Sequence, residues 1–108
     1  MKISQEPMEQ GVRILLQGEL TLQTNTQLES VLKEAVKSKL KNVVVDMSRV
    51  NYVDSSGLRL LVDYHHQLSY LQGKLVLFGM TPNVKKVIEV TRLNQVLTLQ
   101  DDPDSAHS

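Results

Sequence analysis

The chain has 108 residues, with 12 Lys or Arg against 12 Asp or Glu, so its formal net charge is zero. This length suits one domain with its own hydrophobic core, and the absence of cysteine excludes disulfides, iron–sulfur clusters and cysteine-ligated zinc. The charge balance and the scarcity of aromatic residues argue against nucleic-acid binding, and no apolar run is long enough to span a membrane. The absence of cysteine makes a cytoplasmic protein the simplest interpretation, and the N-terminus lacks the apolar region of a secretory signal.

The first part of the chain predicts two strands and a helix. Residues 12–20 (VRILLQGEL) alternate and are rich in strand formers, and a weaker strand around residues 2–5 can pair with them through a turn near residues 6–11. Thr24 or Asn25 can cap the helix that follows. Its buried face is predicted from apolar residues at helical spacing, namely Leu28, Val31, Leu32, Ala35 and Val36.

The middle of the chain predicts a central strand, a second helix and another strand. Residues 42–47 (NVVVDM) contain three consecutive valines, as expected for a strand buried on both faces, and a polar break follows at residues 48–51. An amphipathic helix covers about residues 56–71 and is ended by Gly73. Residues 74–78 (KLVLF) form the next buried strand.

The last part predicts a third helix and a short final strand. Thr81 and Pro82 are a strong helix start, with Thr as the cap and Pro at the first helical position. Residues 96–99 can supply the last strand. The alternation of helices and strands predicts an α/β domain with a small mixed or parallel sheet of about four to five strands and helices mainly on one face.

Motifs for catalysis or cofactor binding are missing from the sequence. The five glycines fit neither common phosphate-binding loop, and no G-x-S-x-G nucleophile motif occurs. His65 and His66 are adjacent and diverge by about 100° on a helix, so they cannot hold one metal ion together. We therefore expect no catalytic residue, no cofactor, no metal and no enzymatic activity.

One polar cluster, at residues 54–58 (DSSGL), stands between an extended segment and a helix. There the Ser55 side chain lies beside the unpaired N–H groups and positive dipole of the first helical turn, a favourable place for an added phosphate. Gly57 is expected to leave room for a partner's active site. The same residues also fit an ordinary capping turn, because Asp and Ser are preferred at the N-cap.

In its wider pattern the chain resembles the STAS domain family, specifically its single-domain anti-sigma factor antagonists. The resemblance rests on residues 18–20 (GEL), 43–48 (VVVDMS) and 53–58 (VDSSGL), with a weaker match at 81–84 (TPNV). Only the D-S-S-G-L block is specific. The resemblance implies one STAS-like domain over residues 1–100, with helices on one side of the sheet, and we expect a disordered acidic tail at residues 101–108.

The resemblance also implies partner switching. In that family the serine after the motif aspartate is phosphorylated by a serine kinase of the histidine-kinase-like ATPase type, which is also the anti-sigma factor, and a PPM-type phosphatase removes the phosphate. That serine corresponds to Ser55, with Ser56 as its neighbour. The unmodified form binds the kinase and frees its other client, whereas the phosphorylated form lets the kinase go.

The docking surface implied by the resemblance is the turn that carries Ser55 together with the loop at residues 21–25. Thr21 stands where phosphorylated antagonists often have Asp, and Arg59 where a small residue is common. Arg59 either approaches a phosphate on Ser55 or faces solvent. The partner-binding residues expected are Thr21, Asp54, Ser56, Gly57, Leu58 and Arg59.

Two other functions compete with this one. Stand-alone STAS-like domains also serve as non-phosphorylated subunits of larger assemblies such as lipid-transport complexes, and the departure at Thr21 motivates that alternative. A small-ligand or nucleotide binder is the third hypothesis, and the missing phosphate-binding loop argues against it. None of the three requires insertion into a membrane or contact with nucleic acid.

Overall fold

The computed structural model describes residues 1–100, which form a five-stranded sheet and three α-helices. The tail predicted at residues 101–108 lies outside the described residues. In chain order the elements are β1 (Lys2–Met8), β2 (Gly11–Leu20), α1 (Asn25–Lys37), β3 (Asn42–Val53), α2 (Ser55–Tyr70), β4 (Lys74–Phe78), α3 (Pro82–Val90), a 3₁₀ turn (Leu93–Gln95) and β5 (Thr98–Gln100).

The strands lie in the order β1-β2-β3-β4-β5, with β1 antiparallel to β2 and the other neighbours parallel. Each parallel step moves the chain in the same direction across the sheet and contains one helix. Since such crossovers are right-handed, all three helices cover the same face. The predicted α/β class, with a mixed sheet and helices on one face, is confirmed.

The hydrophobic core lies between this face and the helices. Helix α1 packs on α2 and β2, α2 on β3 and β4, and α3 on β3. Burying one aliphatic side chain of this kind contributes about 1.5–3 kcal/mol. Fully buried core residues come from six elements, namely Ile14, Leu28, Val45, Leu61, Leu77 and Ile88.

The opposite face of the sheet carries no helix of residues 1–100 and holds an ion pair at its centre. The Arg13 guanidinium donates to Asp46 Oδ2 at 3.0 Å and lies 5.4 Å from the centre of the Phe78 ring. Val44, on the same face, is only half-buried. The prediction that β3 is buried on both faces is therefore wrong, because nothing in the described chain covers the second one.

Strand β3 also continues through the predicted polar break at residues 48–51. Ser48 and Arg49 are exposed, and the register against β2 shifts between Leu15 and Gln17. A strand with one open face tolerates polar side chains and a bulge without ending. As a result β3 reaches Val53 and delivers the chain directly to the D-S-S-G cluster.

Several element ends differ from the prediction. Helix α2 is closed by Gln72 in the left-handed conformation (φ 64°), not by Gly73. Gly73 fills a crowded position, since a Cβ there would lie 3.1 Å from the Leu40 carbonyl oxygen. Strand β1 extends into the predicted turn as far as Met8, and the final strand starts two residues later than expected because a 3₁₀ turn precedes it.

Candidate functional site

Ser55 is the first residue of α2 and follows the C-terminal end of the central strand by two positions. Its side chain is exposed, and its hydroxyl makes no hydrogen bond with residues 1–100. The start of a helix carries a partial positive charge and N–H groups without helical partners. The hydroxyl is therefore accessible at the N-terminal end of the helix.

The Asp54 carboxylate caps α2 and links it to the loop after β2. Its Oδ1 accepts from the Gly57 amide at 2.9 Å and from the Ser56 hydroxyl at 2.6 Å, and its Oδ2 accepts from the Leu22 amide at 3.1 Å. The Asp54 amide donates to the Leu20 carbonyl oxygen at 3.1 Å. One side chain thus joins two segments that are 32 residues apart.

The loop after β2 is closed by its own threonines. The Thr21 amide donates to Thr24 Oγ1 at 2.9 Å, and the Thr24 hydroxyl donates to the Glu19 carbonyl oxygen at 2.6 Å. The Thr21 hydroxyl donates to Gln23 Oε1 at 3.1 Å. Thr24 is the N-cap residue of α1, but its side chain makes no capping bond because it closes this loop. The loop therefore holds a fixed position beside Asp54.

Gly57 and Leu58 face the interior, in contrast to the other predicted docking residues. A Cβ on Gly57 would lie 2.8 Å from the Leu20 carbonyl oxygen, 2.9 Å from Leu20 Cγ and 3.0 Å from Val53 Cγ1. The explanation that Gly57 leaves room for a partner's active site is wrong: the room is needed for the close approach of α2 to the sheet. Gly57 and Leu58 thus position the Ser55 turn through their buried contacts between α2 and the sheet.

Arg59 is exposed and makes no hydrogen bond or ion pair with residues 1–100. It lies four positions after Ser55, and residues at this spacing share one face of a helix. Arg59 faces solvent, on the same side of α2 as the Ser55 hydroxyl. Ser56 is half-buried, with its hydroxyl on Asp54.

Two exposed apolar side chains near this turn were missed by the sequence reasoning. Leu22 is 68% exposed and its amide binds Asp54, while Tyr52 is 51% exposed and lies two residues before Asp54. Single exposed apolar residues are common on protein surfaces. Their positions in the sequence could have indicated a role at the site. Leu22 is the apolar residue of a polar loop that follows a strand, and Tyr52 lies just before the V-D-S-S-G-L segment.

The pKa of Asp54 is lowered, chiefly by the hydrogen bond from the Ser56 hydroxyl and then by that from the Gly57 amide. Burial would raise the pKa of Asp46, but hydrogen bonds from Ser48 and Arg13 outweigh it and lower that pKa as well. Both groups thus bind protons more weakly in the folded state than in the unfolded chain, whose reference value is 3.8.

We expect the free energy of unfolding to be highest above pH 4 and to fall as the pH drops through 3.8 and towards the lower folded-state values. Urea unfolding between pH 6 and pH 2.5 measures this effect. The Asp54→Asn variant keeps an oxygen acceptor for Gly57 but cannot titrate, so its acid-induced loss should be smaller. An unchanged loss in that variant would contradict the role given to Asp54.

Neither a metal centre nor a membrane-spanning helix is found in the part of the chain that the structure describes. Residues 1–100 contain no group of three or more His, Asp or Glu side chains placed to bind a metal ion. Across the same residues, no helix is both long and apolar enough to cross a bilayer. What the arrangement offers is an exposed hydroxyl on a rigid, polar turn.

Comparison with known proteins gives matches over nearly the whole chain. The family model of the STAS domain matches residues 7–106. BtrV of Bordetella bronchiseptica, named as an anti-sigma factor antagonist, is 29% identical over 106 residues, which cover 98% of this chain and 91% of that protein. The anti-sigma-B factor antagonist of Listeria monocytogenes is 27% identical over 90 residues, which cover 83% of this chain and 79% of that protein.

Among solved structures, the fold matches the anti-sigma factor antagonist SpoIIAA in its unphosphorylated form. The TM-score is 0.81, with 22% sequence identity, and the match covers 98% of this chain and 93% of the other. SpoIIAA from Bacillus in its phosphorylated form matches with a TM-score of 0.74 and 21% identity, over 98% of this chain and 96% of the other. These likenesses establish the fold.

Proposed function

The chain belongs to the STAS domain family, and from that premise we propose that it is an anti-sigma factor antagonist switched off by phosphorylation of Ser55. The names of the curated relatives support the antagonist role. The observation that carries the choice of Ser55 is its free, exposed hydroxyl at the first position of α2. The neighbouring Ser56 hydroxyl is half-buried and bound to Asp54, which makes it the poorer acceptor.

The surroundings of Ser55 direct a phosphate towards the surface. A phosphate adds about −1.5 to −2 charges at pH 7. Asp54 already occupies the Gly57 amide, so the new group meets a carboxylate on the inner side and the Arg59 side chain one turn further along. Repulsion from Asp54 and attraction to Arg59 both place the added charge on the exposed side of α2, where a docked partner would have to desolvate it.

The proposed partners are a serine kinase of the histidine-kinase-like ATPase type, which is also the anti-sigma factor, and a PPM-type phosphatase that removes the phosphate. The exchange is proposed to take place in the cytoplasm. The docking surface is formed by Ser55, Arg59 and the loop of Thr21, to which Leu22 and Tyr52 add apolar area. Exposed aromatic and aliphatic side chains beside polar groups are typical of such interfaces.

Incubation with a candidate kinase and ATP, followed by mass spectrometry of the products, tests the acceptor. We expect a single phosphate on Ser55, none on Ser55→Ala, and unchanged occupancy on Ser56→Ala, which lacks only the hydroxyl bound to Asp54. ATP hydrolysis measured in the same reaction shows that the kinase is active. An unmodified protein beside an active kinase would contradict the proposal and favour the subunit alternative.

A further inference from the structure

Strand β1 is one edge of the sheet and its outer side is unpaired by any strand of residues 1–100. It is seven residues long and pairs only with β2. Residues 4–8 are all exposed, and Ile3 is half-buried. A free edge of this length presents a row of main-chain donors and acceptors to another strand.

Pro7 determines which residues of β1 direct their main-chain groups outwards. Pro7 lies opposite Val12 but has no N–H, so this pair is a non-hydrogen-bonded one. Bonded and non-bonded pairs alternate in an antiparallel ladder. Ser4 and Glu6 therefore bond to β2, whereas the N–H and C=O groups of Ile3 and Gln5 point away from the sheet.

The outward N–H and C=O groups of Ile3 and Gln5 are placed symmetrically on either side of Ser4, so they can pair with the same groups of a second copy. If β1 meets the same strand of a second copy antiparallel, with the two-fold axis at Ser4, Ile3 of each copy lies opposite Gln5 of the other. Each such pair exchanges two main-chain hydrogen bonds. Pro7 lies opposite Met1 at the end of this ladder, so its missing N–H takes no bond from the pairs of Ile3 and Gln5.

The charges select the same register. Lys2 and Glu6 lie two positions on either side of Ser4 and share its face of the strand, so the axis at Ser4 places each lysine opposite a glutamate. Moving the axis to Gln5 puts Pro7 opposite Ile3 and loses a donor. Moving the axis to Ile3 places Lys2 opposite Ser4 and so loses the pairing of lysine with glutamate.

We propose that β1 is a homodimerisation edge, at which two copies form one continuous sheet with five strands from each. The two-fold axis is perpendicular to the sheet, so the helices of both copies lie on the same side. The Ser55 turn follows β3, two strands away from this edge, and stays free in both copies. Because the interface is narrow, the dimer forms at high concentration only.

Cysteine cross-linking tests the register, since the natural chain contains no cysteine. In the proposed dimer the two Ser4 residues face each other with Cβ atoms about 4.5–5.5 Å apart, within reach of a disulfide. The Ser4→Cys variant should therefore give a covalent dimer on mild oxidation. Met8→Cys is the matched control: it lies on the same face of the same strand, but its symmetry mate is about 27 Å away. Equal cross-linking of the two variants would overturn the register.

Charge exchange tests the pairing in solution. We expect Lys2→Glu alone and Glu6→Lys alone each to weaken dimerisation about tenfold, because each places like charges opposite one another twice. The double variant should restore it. Sedimentation equilibrium up to about 1 mM, the weak end of the affinity scale, measures all four proteins. A monomeric natural protein over this range, or a double variant as weak as the single ones, would refute the proposal.

Discussion

Phosphorylation of Ser55 is expected to weaken binding to the proposed kinase by about 30-fold to several thousand-fold. An unpaired charge buried in an interface costs about 2–5 kcal/mol, and each 1.4 kcal/mol is a factor of ten. The phosphate cannot bind the amide of Gly57 on the inner side of the turn, because the Asp54 carboxylate already accepts a hydrogen bond from it. A partner docked on this turn would therefore have to desolvate the charge or dissociate.

Isothermal titration of the kinase with unmodified protein, phosphorylated protein and Ser55→Glu measures this loss. Ser55→Glu adds a single charge, so its effect should be smaller than that of the phosphate. Ser69→Glu is the matched control, since it adds the same charge to an exposed position near the other end of α2. Equal affinity of the phosphorylated and unmodified forms would contradict switching, and equal loss in both glutamate variants would indicate a general charge effect.

The fold was largely predictable because its signals are local. Apolar residues at helical spacing located the first two helices, the start at Thr81 and Pro82 located the third, and alternation or valine runs located the main strands. The two faces of β3 were predicted wrongly for a physical reason. Three successive valines indicate a strand, but whether Val44 is covered depends on a layer that the described chain does not supply on that side. The polar residues after Met47 were likewise compatible with an open face.

The position of the D-S-S-G cluster at a helix start was predictable, but the connections of its residues were not. The D-S-S-G cluster located Ser55 at a helix start, which the structure has. The hydrogen bond between Asp54 and the Leu22 amide joins positions 32 apart, and such a pairing is fixed only when β2 and β3 lie side by side. The same adjacency brings Leu20 against Gly57. Both contacts therefore depend on strand register, which local patterns do not contain.

Replacing Gly57 with alanine is expected to lower the free energy of unfolding by about 1–3 kcal/mol, the usual cost of overpacking a tight contact. Two effects oppose each other here. Alanine is favoured over glycine within a helix by about 1 kcal/mol, so a change governed by helix propensity would stabilise α2. The new Cβ, however, would lie 2.8 Å from the Leu20 carbonyl oxygen and 2.9 Å from Leu20 Cγ, and Leu20 is fully buried.

The contact should dominate because its neighbours cannot move independently. The Leu20 carbonyl oxygen accepts from the Asp54 amide, so shifting either strand or helix strains the link between β2 and α2. Urea unfolding of Gly57→Ala measures whether the free energy of unfolding falls or rises. Arg59→Ala is the control: it changes an exposed residue of the same helix, and its free energy of unfolding should stay within about 0.5 kcal/mol of that of the natural protein. A more stable Gly57→Ala would show that α2 does not need this close approach. A lower free energy of unfolding together with weaker binding of the proposed kinase would show that the contact of Gly57 with the sheet positions the Ser55 turn.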